Sequence, residues 1–138
     1  MIVYLDSSVL LRVLLNQPNK LNEFTQIKRA VSSILLKAEC LRSLDRMRIL
    51  GKITEENHLK SIETLYETLF YIEFIEISDR ILERTGSAFS VALGTLDAIH
   101  LSSALLWVEE MKSPLIFLTH DLFLAKACRS HGVKVLGC

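Results

Sequence analysis

The chain has no excess of charge of either sign. Lys and Arg number 16, Asp and Glu number 16, and the formal net charge is zero. The simplest signature of a nucleic-acid binder, a strongly basic chain, is therefore absent, and any such binding needs a local basic patch or a bridging cation. No apolar run approaches the roughly 18 residues of a membrane span, so no membrane association is expected. Asp6 interrupts the apolar N-terminus and no basic region precedes it, which argues against a signal peptide. Paired cysteine spacing is missing too. Cys40, Cys128 and Cys138 fit neither a disulfide framework nor zinc, and point to reduced thiols and a cytoplasmic setting. Neither GxGxxG nor GxxxxGK[ST] occurs, which removes the common nucleotide sites. Linkers, repeats and low-complexity tracts are also absent, so residues 1–138 read as one domain.

What is present is a core-forming sequence. Hydrophobic residues make up 50% and the mean hydropathy is +0.32, which excludes a disordered chain. Short apolar runs at Ile2–Leu5, Ala30–Ser33, Leu115–Leu118 and Val133–Leu136 read as strands, with an alternating strand over Tyr71–Ile77. Helical spacing predicts helices over Val9–Leu15, Leu21–Arg29, Leu35–Leu50, Glu55–Leu69, Ser78–Val91, Leu96–Met111 and Leu122–Ser130. Thr54 reads as a cap for the fourth of these, and Leu59, Ile62, Leu65, Tyr66 and Leu69 as its apolar face. Gly51 and Gly94 act as breakers, and Thr95 as a cap. Cys40 and Cys128 fall among apolar helical residues and read as core. Strands alternating with helices predict a three-layer α/β/α sandwich on a mainly parallel sheet.

That class places ligands beyond the carboxyl ends of the strands. Asp6 follows IVYL, Asp121 follows IFLTH, Asp97 opens a helix in TLDAIHLSSA, and Glu39 lies near the start of another. Each alone also fits a plain role: Asp6 and Asp121 as helix caps, Asp97 as a first-turn acid favoured by the dipole, Glu39 as a surface partner of Arg42 at i,i+3. Together they suggest convergent carboxylates, which repel unless a cation joins them. Oxygen-only ligands select a hard ion such as Mg²⁺ or Mn²⁺. His100, on an apolar helix, reads as a satisfied, partly buried side chain. Arg42 and Arg46, with Lys37 and Arg48 nearby, read either as an RNA-facing patch or as a solvated helix face. A phosphoacceptor receiver domain fits poorly: serines follow Asp6 in place of an acid, and Lys134 lies within the last strand.

The blocks YLDSSVLL, LLKAECLRSL, TLDAIHLSSAL and FLTHDLFLAKAC followed by HGVKVL resemble, in order and over essentially the whole chain, the PIN-domain family, and most of all its small VapC-type toxin ribonucleases. The resemblance implies an endoribonuclease dependent on Mg²⁺ or Mn²⁺, with Asp6, Glu39, Asp97 and Asp121 as the catalytic and metal-binding acids. Hydrolysis by metal-activated water would leave a 5′-phosphate and a 3′-hydroxyl. The resemblance also assigns Ser7 and Thr119 as hydroxyls orienting a ligand or water, and implies a small antitoxin partner and a homodimer. The chain departs from the family pattern in two places. His120 stands where an aromatic or small residue is commoner, and no further acid follows Asp121, which points to one firmly held metal and a second only with substrate. The alternative is a catalytically silent PIN scaffold acting through a protein partner.

Overall fold

A computed structural model describes residues 1–138. Five strands, β1 (Ile2–Leu5), β2 (Arg29–Ser33), β3 (Ile72–Ile75), β4 (Ile116–Leu118) and β5 (Lys134–Leu136), form one sheet in the order β3-β2-β1-β4-β5. Every pairing is parallel. The helices are α1 (Ser7–Leu14), α2 (Leu35–Ile49), α3 (Glu55–Leu69), α4 (Asp79–Thr85), α5 (Thr95–Met111) and α6 (Leu122–Ser130). The order reverses between β1, which leads to β2, and β4. That switch point is where doubly wound sheets open a crevice.

Side chains of a strand alternate between faces, and the core divides accordingly. Val3 and Leu5 of β1 pack with Val9, Leu10, Leu36, Cys40, Leu44 and Leu65, which belong to α1, α2 and α3. Tyr4 points the other way, to Leu101, Ala104, Trp107, Leu124 and Ala127 of α5 and α6. Ile81 of α4 packs on Ile99 and Leu106 of α5. The α5 helix is thus enclosed by sheet and helices, which explains why it is apolar nearly all round. The three-layer sandwich follows. Cys40 and Cys128 are buried in it, and burial pushes both thiols up to about 12.

Local departures from the sequence pattern have local causes. The helix expected over Leu21–Arg29 is only a single 3₁₀ turn, Glu23–Gln26. Its Leu21, Phe24 and Ile27 lie three apart, a spacing that a 3₁₀ turn also stacks on one side, and all three pack on the core. Backbone bonds from Lys28 to Met1 and from the Met1 ammonium to Gln26 tie the segment to β1. The helix expected over Ser78–Val91 stops at Thr85, where Gly86 takes the C-cap; Phe89, Val91 and Leu93 then reach the core from irregular backbone. The β3 strand is shorter than its alternating pattern, and Tyr71 is exposed. On α3, Thr54 caps Asn57 as expected, but Leu59 and Tyr66 face solvent and Ser61 is buried in their place. Lys37 sits over the Tyr66 ring. Gly94, not Thr95, is the N-cap of α5.

The last strand ends against the switch point. Gly137 has φ +106°, and a Cβ there would stand 2.3 Å from the Thr119 carbonyl oxygen. Glycine is thus required by both conformation and space. Gly137→Ala is expected to cost about 1–3 kcal/mol, read as a lower melting temperature in a thermal denaturation with unchanged far-UV circular dichroism at 20 °C.

Candidate metal and phosphodiester site

β1 and β4 are neighbours in register, Leu5 beside Leu118. The two chain turns beyond them therefore meet. The Asp6 amide donates to the Leu118 carbonyl at 3.1 Å. The Asp6 carboxylate then receives two hydroxyls on one oxygen, Oδ2: Ser8 Oγ at 2.5 Å and Thr119 Oγ1 at 2.9 Å. Each hydroxyl also accepts a backbone N–H of the turn after β4. Ser8 Oγ accepts from His120 at 2.9 Å, and Thr119 Oγ1 from Asp121 at 3.0 Å. Asp6 is buried at 4% exposure and Thr119 is wholly buried. The hydroxyls satisfy Oδ2 and the amides of His120 and Asp121 together.

The remaining acids hang on the same edge. Asp121 N-caps α6, its Oδ1 accepting from the Leu124 amide at 2.8 Å. Glu39, on the second turn of α2, presents Oε1 to Nε2 of His100 at 2.5 Å. Asp97 lies in the first turn of α5 and makes no side-chain hydrogen bond. Its carboxyl is nonetheless pushed up to about 6, first by burial, then by the charges of Asp121 and Asp6, with Glu39 adding and His100 opposing. These interactions place the four acids in one electrostatic neighbourhood. They do not form a ready-made cage, since no three His, Cys, Asp or Glu groups are close enough to hold an ion as they stand.

The acids share a pattern. In Asp6, Asp121 and Glu39 one carboxylate oxygen is fixed by the protein and its twin makes no hydrogen bond to it. None of the twins is among the buried unpaired atoms, so each reaches open space. Half-claimed carboxylates around an unclaimed, reluctant one fit a hard divalent cation by donor chemistry and by charge.

Asp6 and Asp121 each cap a helix, the plain role read for both. Glu39 does not pair with Arg42, which bonds Asp45 instead, as does Arg48. Arg42 and Arg48 are thus paired within the chain, whereas Arg46 and Lys37 make no ion pair. Thr119 is a bracket between two acids. Ser7 makes no side-chain hydrogen bond, and the serine that engages Asp6 is Ser8, a residue the sequence reading passed over. The DSS pattern held the clue, because a side chain two residues after a helix N-cap meets the cap carboxylate. His120 turns inward: its Nδ1 donates to the Gly137 carbonyl at 2.8 Å, and its Nε2 is buried without a partner. His100 is satisfied as read but wholly rather than partly buried, and its partners Tyr4 and Glu39 were not foreseen.

Comparisons with known proteins bear on family and fold. The PIN domain family matches residues 3–122. Ribonuclease VapC46 of Mycobacterium tuberculosis is 28% identical over 109 residues, spanning 74% of this chain and 73% of that protein. The crystal structure of VapBC2 from Rickettsia felis, bound to a DNA fragment from its promoter, superposes with a TM-score of 0.58 at 18% identity, over 99% of this chain and 98% of that one.

The raised Asp97 carboxyl has a sign that a melt reads. The folded state holds this proton up to about pH 6, the unfolded chain only to its ordinary 3.8. The folded state binds more protons in that window, so the Asp97 contribution to stability falls as pH rises from 3.8 to about 6 and stays low above it. Asp97→Asn removes the charge and keeps the shape. At pH 7.5 in EDTA the variant should melt at the parental temperature or higher, and Mn²⁺ should raise the parent more than the variant. A clearly lower melt in EDTA, with no Mn²⁺ shift in either protein, would mark Asp97 as structural.

Proposed function

Because the chain belongs to the PIN-domain family, we propose that it is a VapC-type endoribonuclease, the toxin of a toxin–antitoxin pair, that cuts RNA with Mg²⁺ or Mn²⁺. What supports this reading is the placement of Asp6 and Asp121 just beyond the neighbouring strands β1 and β4, with the raised Asp97 carboxyl in their electrostatic reach and Glu39 tied to the same helix as Asp97 through His100. These four would hold the cation. When bound, it supplies a water of lowered pKa and offsets charge on the scissile phosphate.

The chain's own residues have separable tasks. Ser8 and Thr119 lock the Asp6 carboxylate and the turn that carries Asp121. The α6 N-terminus steadies Asp121 through its own amide. Asp97 is free of such ties and reluctant to ionise, which suits a group that orients or accepts from water. Ser7 stays a candidate for contacting a ligand or water. A small antitoxin that covers the acids and a homodimer complete the reading. No helix is long and apolar enough to cross a membrane.

A second reading is favoured by the lack of a ready-made cage: a scaffold that binds a partner without turnover. A cleavage assay separates the two. Purified protein should cut RNA with Mg²⁺ or Mn²⁺ and stop in EDTA, and Asp6→Asn or Asp97→Asn should lower the rate by about 100-fold or more. Full activity in both variants, in preparations free of contaminating nuclease, would refute the nuclease reading.

A further inference from the structure

The site rests on a second, wholly internal chain of hydrogen bonds. Tyr4 is buried at 0% exposure, its ring stacked on Phe117 with centroids 4.7 Å apart. Its Oη accepts the Ser33 amide at 3.0 Å and meets His100 Nδ1 at 2.8 Å. The His100 ring is equally buried, and its Nε2 meets Glu39 Oε1 at 2.5 Å. One proton arrangement satisfies every partner. Ser33 donates to the phenol oxygen, the phenol proton goes to Nδ1, and the imidazole carries its proton on Nε2, aimed at the carboxylate. Had Nδ1 carried the proton, Nε2 would turn a bare lone pair to the Glu39 carboxylate.

The chain joins β2, β1, α5 and α2, and it ends on one oxygen of one acid. His100 is too deeply enclosed to reach substrate, and both its nitrogens are committed. We propose that Ser33, Tyr4 and His100 form a positioning relay that holds the Glu39 side chain so that its free oxygen, Oε2, is presented to the divalent cation. The inference rests on the metal-dependent reading above. Tyr4 and His100 act here as positioning residues, through Glu39 alone.

Paired substitutions at one position test this. A Gln amide places its nitrogen near the imidazole Nε2, whereas the shorter Asn places its own near Nδ1. His100→Gln should therefore keep the donor to Glu39, and His100→Asn should lose it. Mn²⁺ affinity is measured on RNA-free protein at pH 7.5 by the electron paramagnetic resonance of unbound Mn²⁺, with a thermal melt of each variant. His100→Asn and Glu39→Gln should each weaken Mn²⁺ binding by about 10–100-fold. His100→Gln should stay within about 3-fold of the parent, and His100→Asn should add nothing in a Glu39→Gln background. Parental affinity in folded His100→Asn overturns the relay, as does equal loss in the Asn and Gln variants. Should His100→Asn fail to fold, Tyr4→Phe keeps the ring stack and removes only the hydroxyl; weaker Mn²⁺ binding supports the relay and parental binding overturns it. Absence of Mn²⁺ binding to the parent overturns the metal reading and the relay together. Tight parental binding weakened by Glu39→Gln but untouched by His100→Asn overturns the relay alone.

Discussion

The Asp6 carboxylate is held by two hydroxyls that are themselves held by two amides, and the whole edge of the sheet depends on this joint. Asp6 sits past the end of the central strand, almost out of solvent. A carboxylate there is costly unless hydrogen-bonded. Ser8 and Thr119 meet that cost with their protons, and use their lone pairs to fix the backbone of His120 and Asp121. One set of bonds thus pins the first acid, the last acid and the register of β1 against β4. The β5 end adds to it, with the Thr119 amide on Leu136 and His120 on Gly137.

The fold was legible where hydrophobic period and turn chemistry agreed. IVYL and IFL are short, apolar and closed by Asp or Thr-His-Asp, and both strands and both caps followed. The failures fell on segments that tertiary packing shapes. Phe24 and Ile27 carry a helical spacing but serve a tight crossover beside β1, and Phe89 and Val91 fill the core from irregular backbone. At the site, the acids were visible because three of them end strands or open helices. Their supports were not. The His100–Glu39 contact spans 61 positions and Thr119–Asp6 spans 113, and no local pattern encodes which buried imidazole meets which carboxylate. Ser8 is the exception, a neighbour of Asp6 whose role local reasoning could have named.

Charge is distributed unevenly despite the zero sum. Arg42 and Arg48 of α2 are engaged with Asp45 and Glu55, and Arg80 and Arg84 of α4 with Glu110 and Glu109. The four site acids have no such partner except the imidazole under Glu39. A cation at the switch point therefore meets carboxylates that no basic side chain has already neutralised.

The joint between β1 and β4 also constrains when the site can exist. Its halves are Asp6–Ser8 and Thr119–Asp121, so the loop that must close is almost the whole chain. Such contacts form late, because loop-closure entropy opposes them until nearer pairings are in place. A nascent chain that has not yet delivered β4 holds Asp6 beside no Thr119 and lacks Asp121 altogether. The order of synthesis therefore withholds Asp121, and the Thr119 that braces Asp6, until residues 119–121 have emerged and packed beside the first strand.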